Sequence, residues 1–213
     1  MHEVEIKARL ESPERTERLL AAVADFSFRC IKTDRYWSIG KKTIRTRLER
    51  IGDTETVLIT HKLKRYSGAI ETNRELEFEL PAAALPVFTA MLEGCGFICT
   101  AEKQKDTKVF IPHADIFAAG LLDGAERVSA ELSVIEPIGS FLEIEILYPD
   151  ANADTDTDTD TASGERHLRN ARLIFDTLLA AVEVPQDAIE PRPYNELLAH
   201  ERRAEAGHSF MTL

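Results

Sequence analysis

The stretch Glu3-Val4-Glu5-Ile6-Lys7, near the start of the chain, alternates strictly between charged and apolar residues. Successive side chains of a β-strand point to opposite faces, so this alternation predicts a strand with one charged face and one apolar face. The charged face carries two carboxylates and one ammonium group. The fold depends on whether such a face lies in solvent or lines an enclosed site.

The same alternation recurs in later segments, and each charged face is almost wholly of one sign. Residues 44–48 (IRTRL) place two arginines on one face, residues 75–79 (ELEFE) three glutamates, and residues 142–146 (LEIEI) two glutamates. An ordinary antiparallel sheet with one solvated face is the alternative. A solvated face usually mixes both signs with Ser, Thr and Gln in each strand, so the sorting favours an enclosed site.

Acids and bases are nearly balanced on these predicted faces. The residues are Glu3, Glu5, Glu75, Glu77, Glu79, Glu131, Glu143 and Glu145 against Lys7, Arg45, Arg47, Lys62, Lys64, Lys103 and Lys105. Burying unpaired charges is costly, so near balance is what enclosure requires. The apolar faces then need a cover of helices. The sequence therefore predicts an α+β fold with a β-barrel that is polar inside and apolar outside.

Helices are predicted between the strand segments. One begins at Ser12-Pro13 with an apolar stripe that extends to Phe26, and a second begins at Pro81 with a core face that includes Met91. A third covers residues 168–182, and residues 186–201 form a short final element that packs on the body.

Composition limits the kind of protein. The 213 residues are 44% hydrophobic, which predicts one globular domain over residues 1–200 and a tail at 201–213. The Asp-Thr repeat at about 150–164 predicts a disordered insert. The net charge of −11 argues against nucleic acid as a partner, and no apolar run predicts a membrane span. Three cysteines and no predicted secretory leader favour the cytoplasm.

The charges themselves indicate a ligand. Guanidinium and ammonium groups from several strands suit a polyanion with many oxygens. Carboxylates in the same cavity would repel that polyanion unless Mg²⁺ or Mn²⁺ lies between them. A triphosphate carries roughly four to five negative charges, so two divalent ions would nearly neutralise it. The sequence therefore predicts a site for metal and oligophosphate.

At this point the ordered motifs resemble the CYTH domain family, the triphosphate tunnel metalloenzymes, which include class IV adenylyl cyclases and thiamine triphosphatases. The motifs are Glu-x-Glu-x-Lys at residues 3–7, Arg-x-Arg at 45–47, the lysine strand at 60–64, Arg-Glu-x-Glu-x-Glu at 74–79, Gly-x-Phe-x-Glu-x-Glu at 139–145 and Tyr-x-x-Leu-Leu at 194–198. Together they cover nearly the whole chain outside the Asp-Thr insert and the last dozen residues.

The resemblance implies an eight-stranded antiparallel tunnel that binds a triphosphate with Mg²⁺ or Mn²⁺. It implies metal ligands at Glu3, Glu5, Glu143 and Glu145, with Glu75, Glu77 and Glu131 as further candidates. It implies phosphate contacts from Lys7, Arg45, Arg47, Lys62, Lys64, Lys103 and Lys105. The catalytic set is Glu5, Lys7, Arg45, Arg47 and Glu145. Two departures from the family pattern are Lys105, where Arg is frequent, and Glu131, where Asp is frequent.

The predicted activity is metal-dependent hydrolysis of inorganic triphosphate, thiamine triphosphate or a nucleoside triphosphate. One alternative is a class IV adenylyl cyclase that converts ATP to cyclic AMP and pyrophosphate. Another is a non-catalytic binder of polyphosphate or nucleotide. The predicted partner is a small-molecule triphosphate, with no membrane or nucleic acid, and the choice between monomer and homodimer stays open.

Overall fold

The strands predicted from the alternation close into one barrel. A computed structural model describes residues 2–67, 69–149 and 162–209. For residues 64–67, 162–164 and 202–209 it describes the backbone alone. The strands are β1 His2–Leu10, β2 Ala24–Ile39, β3 Lys42–Ile51, β4 Thr54–Ser67, β5 Ile70–Leu80, β6 Ile98–Pro112, β7 Arg127–Ile135 and β8 Gly139–Tyr148. The helices are α1 Pro13–Leu20, α2 Leu85–Gly94, α3 Ala162–Ala181 and α4 Tyr194–Ser209.

Each strand pairs antiparallel with two neighbours, in the order β1-β5-β4-β3-β2-β6-β7-β8, and β8 returns to β1. The described strands therefore form a closed sheet. Closure gives the charged faces a common interior, because every second residue of each strand points the same way. The predicted fold class, an eight-stranded antiparallel barrel with a polar interior and flanking helices, is confirmed.

The main apolar core lies outside the barrel, between the sheet and α3. Val4 and Ile6 of β1 and Ile144 of β8 are at most 4% exposed and belong to one cluster with Ile174 and Phe175 of α3. Burying each such side chain contributes about 1.5–3 kcal/mol. The packing fixes the register of β1, because a slip by one residue would turn its glutamates toward α3.

One residue in each of two predicted helical faces was wrong. The α1 helix ends at Leu20, and Phe26 lies in β2, where it is 57% exposed. The reason is that β2 begins at Ala24 and pairs with β6 over its whole length, with Phe26 opposite Phe110. In α2, Leu92 is buried as predicted. Met91, the residue before it, points away from the sheet and is 61% exposed.

The C-terminal element packs on one end of the barrel. Tyr194 and Leu197, in the first turn of α4, form a second buried cluster with Ile135, Ile138 and Phe141. The predicted disordered insert falls largely on residues 150–161, which lie outside the described residues; α3 begins at Ala162. None of the described helices is long and apolar enough to cross a membrane.

Candidate metal and phosphate site

The barrel brings most of the predicted charged residues into one interior. Cross-strand pairing sets Glu5 opposite Glu145 and Lys7 opposite Glu143, since β1 and β8 run side by side. The ion pairs and electrostatic contacts of the interior join the following predicted residues: Glu3, Glu5, Lys7, Arg45, Arg47, Lys62, Glu75, Glu77, Lys103, Lys105, Glu131, Glu143 and Glu145. The side chain of Lys64 lies outside the described residues.

Lys62 of β4 is the centre of one charge cluster. Its Nζ lies 2.8 Å from Oε1 of Glu3 and 2.5 Å from Oε1 of Glu75, and the Asn73 amide also donates to Glu3 at 2.8 Å. Burial alone would raise the pKa of Glu3, but the Lys62 ammonium outweighs burial and lowers that pKa below its usual range. The carboxylates in turn hold Lys62 protonated, against its own burial.

Lys105 of β6 is the centre of a second cluster. Its Nζ bonds to Glu143 and lies 3.5 Å from Glu131, while Lys32 donates to Glu131 at 2.7 Å. Burial would raise the pKa of Glu131, yet the two lysines lower it to about 2. Lysines from different strands thus hold two carboxylates ionised inside the barrel.

Sequence reasoning missed a third cluster around Asp34. This carboxylate is fully buried and accepts two hydrogen bonds from the Arg47 guanidinium, at 2.6 and 2.9 Å. Nζ of Lys103 lies 3.3 Å from the same carboxylate. Burial, reinforced by the neighbouring Lys105, lowers the pKa of Lys103 to about 7 although Asp34 opposes the shift. Asp34 therefore orients an arginine that was predicted to bind phosphate.

A detectable signal for Asp34 was present in the sequence. Residues 30, 32, 34 and 36 share one face of β2, and Lys32 and Asp34 are at most 6% exposed. The charged faces predicted from the sequence did not include this segment of β2.

Glu3, Glu75, Glu131 and Glu143 each pair with a lysine, and among the described side chains Glu5 and Glu145 have no such pair. Burial and the nearby Glu3 carboxylate raise the pKa of Glu5 well above its usual range. Burial, with Glu3 and Glu131, raises the pKa of Glu145 to about 7; Arg127, at 3.4 Å, offsets this only in part. Two crowded carboxylates on adjacent strands attract a cation that brings more than one charge.

These two carboxylates fit a divalent cation of the kind predicted. Among the described residues, no three Asp, Glu, His or Cys side chains stand close enough to form a complete protein cage for a metal. Mg²⁺ does not need one, because it usually binds through one or two carboxylates and completes its shell with water and substrate phosphates. Glu5 and Glu145 supply such a partial ligand set, whereas Glu3 and Glu143 are engaged by Lys62 and Lys105.

Tyr194 covers one end of the interior. Its ring centre lies 4.3 Å from Nζ of Lys103, 4.7 Å from that of Lys7 and 5.4 Å from that of Lys105, and it packs edge-on against Phe141 at 5.0 Å. The sequence predicted only that Tyr194 anchors the final element. The structure shows that its ring is also part of the charged interior.

Arg45 and Glu77 lie toward a more exposed part of the site. Arg45 donates to Oγ1 of Thr60 at 2.9 Å and to Glu77 at 3.3 Å, and the Glu77 side chain is 33% exposed. The Arg45 guanidinium has its Nε buried without a hydrogen-bond partner. A buried donor of this kind is costly unless an acceptor such as a phosphate oxygen reaches it.

Comparison with known proteins identifies the fold. No protein-family model matches the chain, and no curated protein matches it significantly. The PH1819 protein of Pyrococcus horikoshii OT3 is a similar solved structure, with a TM-score of 0.73 at 19% identity, covering 93% of this chain and 99% of that one.

Two further solved structures carry functional names. A candidate adenylate cyclase from Vibrio parahaemolyticus aligns with a TM-score of 0.61 at 17% identity over 93% of this chain and 98% of its own. HpAC1 from Hippeastrum, described as having a dominant triphosphatase activity, aligns with a TM-score of 0.56 at 16% identity, over 89% and 90%. At these identities the likeness shows the fold alone. It confirms, at that level, the resemblance to the CYTH domain family.

Proposed function

We propose that this protein is a metal-dependent hydrolase that cleaves a triphosphate bound inside the barrel. The observation that carries the proposal is the convergence of Lys62, Lys105 and the Asp34-bound Arg47 with the buried carboxylates Glu5 and Glu145, whose pKa values are raised, in one closed interior. The cationic side chains suit the phosphate oxygens of a triphosphate, and the carboxylates suit its divalent counter-ions, so the ligand needs both sets.

The cationic residues would bind the phosphate oxygens. Arg47 is already fixed in orientation by Asp34, so little conformational entropy remains to be lost when it meets a phosphate. The unsatisfied Nε of Arg45 offers a donor to the same ligand. Lys103, with a pKa of about 7, takes up a proton fully when an anion arrives beside it. Such preorganised donors stabilise the charge that develops on the transferred phosphoryl group.

Glu5 and Glu145 would hold Mg²⁺ or Mn²⁺ between themselves and the phosphates. The bound ion supplies charge neutralisation and a more acidic water. Glu145, kept ionised by the ion, would accept the proton of the attacking water at a carboxylate oxygen. Tyr194 excludes water from the lysine side of the interior.

Of the two solved structures with functional names, HpAC1 supports this choice over cyclisation. HpAC1 is described as having a dominant triphosphatase activity although it carries the name of a candidate adenylyl cyclase. Both reactions require the same phosphate and metal groups.

The test is product identity with tripolyphosphate, thiamine triphosphate and ATP, each with Mg²⁺ or Mn²⁺. We expect orthophosphate from at least one substrate, and loss of about 100-fold or more in kcat for Arg45→Ala. The matched control is Arg35→Ala, because Arg35 lies on the outer face of β2, where it pairs with Glu102 at 2.6 Å. Its activity should stay within about twofold of the unsubstituted protein.

Two outcomes would overturn the proposal. The first is cyclic AMP as the only product from ATP. The second is tight, metal-dependent binding of tripolyphosphate without turnover of any substrate. Circular dichroism of both arginine variants establishes that any loss of activity occurs in folded protein.

A further inference from the structure

Glutamates lie opposite each other at two places in the barrel interior. The pairing of β7 with β8 sets Glu131 opposite Glu143, and the pairing of β1 with β8 sets Glu5 opposite Glu145. The resemblance to the CYTH domain family implied all four as metal ligands or as candidates for that role. A divalent ion at each place would give the interior two ions, but the two places differ in the cations beside them.

Two ammonium groups already lie beside Glu131 and Glu143. Lys32 and Lys105 lie opposite each other where β2 pairs with β6. Nζ of Lys32 donates to Oε1 of Glu131 at 2.7 Å. Nζ of Lys105 lies 3.5 Å from Oε2 of the same carboxylate and bonds to Glu143. Both oxygens of Glu131 therefore have an ammonium partner, and we call these four residues the lysine–glutamate quartet.

The quartet balances its own charge inside the protein. The side chains of its two lysines are 7% and 4% exposed, and those of its two glutamates 13% and 14%. A charge buried to this degree is costly unless an opposite charge lies beside it. The two lysines supply the same positive charge that one divalent ion would bring to the two glutamates. A divalent ion added to the complete quartet would be repelled by two buried cations.

The other place lacks this compensation. Among the described side chains, no lysine forms an ion pair with Glu5 or Glu145, whereas the quartet contains two lysines. Arg127 lies 3.4 Å from Glu145, but its side chain is 55% exposed, and an exposed cation compensates a carboxylate only weakly. Glu5 and Glu145 therefore retain an attraction for a divalent ion that the lysines cancel in the quartet.

We propose that the Lys32 ammonium takes the place of a second divalent ion, so that the interior binds one ion, at Glu5 and Glu145. This inference rests on the hydrolase function proposed above, because the ion belongs to that function. Lys105 is a predicted phosphate contact and can turn to a bound triphosphate, whereas Lys32 stays with Glu131. Lys32 is then a positioning residue that keeps Glu131 from becoming a metal ligand.

Counting bound Mn²⁺ ions tests the inference without any substrate. The electron paramagnetic resonance signal of free Mn²⁺ falls as the protein binds the metal, so a titration gives the number of ions per chain. We expect one ion for the wild type and two for Lys32→Met, because Oε1 of Glu131 loses its partner and becomes a ligand. Lys32→Arg retains the positive charge and should bind one ion.

The matched control is Lys108→Met. Lys108 lies on the same strand as Lys105, but it is on the outer side of the barrel, where its Nζ lies 2.6 Å from Glu17 of α1. This variant should bind one ion, as the wild type does. Circular dichroism establishes that each variant is folded.

Substitutions at Glu131 keep the inference testable if Lys32→Met does not fold. Glu131→Gln should leave the count at one, because this carboxylate is not a ligand while Lys32 is present. The double variant Lys32→Met/Glu131→Gln removes both charges and should also bind one ion. Loss of the ion in Glu131→Gln, or a second ion in the double variant, would overturn the inference.

Other outcomes separate this inference from the proposed function. Two Mn²⁺ ions in a wild-type protein that releases orthophosphate would overturn the inference and leave the hydrolase proposal intact. One ion in folded Lys32→Met would also overturn it, and weaker binding of tripolyphosphate by that variant would make Lys32 a phosphate contact. Absence of bound Mn²⁺ from the wild type and every variant would overturn both proposals.

Discussion

Replacing Glu145 by Gln is expected to stabilise the metal-free protein at alkaline pH, although the substitution removes a residue proposed to be catalytic. In the folded protein, burial and the carboxylates of Glu3 and Glu131 raise the pKa of Glu145 to about 7 from its ordinary value of 4.5. Each pKa unit is worth about 1.4 kcal/mol, so the ionised carboxylate lowers the free energy of unfolding by about 3 kcal/mol at pH 8.

The direction of this change in stability with pH follows from proton binding. Between pH 4.5 and 7 the folded protein holds the Glu145 proton and the unfolded chain does not, so stability falls as the pH rises through this range. Glu131 acts in the opposite direction: its pKa is lowered to about 2, so its contribution is present above pH 4.5 and is lost as the pH falls. At pH 5 the Glu145 penalty has fallen to about 0.8 kcal/mol and the Glu131 contribution is nearly complete.

Thermal unfolding of wild type and Glu145→Gln at pH 5 and pH 8, in EDTA, measures the effect. A chain of this size changes its Tm by about 2–4 °C per kcal/mol, so the variant should melt about 6–12 °C higher at pH 8 and only about 2–3 °C higher at pH 5. Added Mg²⁺ should stabilise wild type more than the variant, because the variant lacks one proposed ligand.

The matched control is Glu102→Gln, since Glu102 lies on the outer surface with its side chain 51% exposed. Its stability should stay within about 0.5 kcal/mol of wild type at both pH values. Equal Tm values for wild type and Glu145→Gln at pH 8, or a lower Tm for the variant, would refute the reasoning that burial and neighbouring carboxylates outweigh Arg127 at Glu145.

Two other substitutions test parts of the site that sequence reasoning did not identify. Asp34→Asn removes the buried charge that pairs with Arg47 and should lower the free energy of unfolding by about 3–5 kcal/mol. Urea denaturation measures this loss, and a loss under about 1 kcal/mol would show that the pair does not stabilise the fold. Tyr194→Ala removes a buried ring beside three lysines and should cost about 3–5 kcal/mol, with Tyr194→Phe retaining most of the stability; equal losses in both would assign the effect to the hydroxyl.

The charged interior could be predicted because strand alternation is a local property of the sequence. The Glu3, Glu5 and Lys7 face needs no knowledge of distant contacts, and its sorting by sign argued for enclosure before the barrel was known. Alternation does not predict which carboxylate pairs with which lysine. That Glu145 stands opposite Glu5, and not beside a lysine, depends on the register of β1 and β8.

The errors have a common physical cause. Phe26 and Met91 fit a helical apolar spacing, but in each case pairing or packing with β-strands decided the outcome. Phe26 belongs to a strand whose 16 residues are stabilised by pairing with β6, and Met91 faces outward because Leu92 and Phe88 already fill the contact with the sheet. Periodicity counts apolar residues, but tertiary contacts determine which of them are buried.

The covered end of the barrel limits how a ligand can enter and leave the interior. Tyr194 and Phe141 cover the side where Lys7, Lys103 and Lys105 converge, so a phosphate chain bound as proposed would reach these lysines from the other end, near the partly exposed Glu77. For the proposed hydrolysis, substrate entry and product exit then share one route. The phosphate product bound beside the lysines would then leave last. Product that accumulates would compete with the next triphosphate for the same entrance.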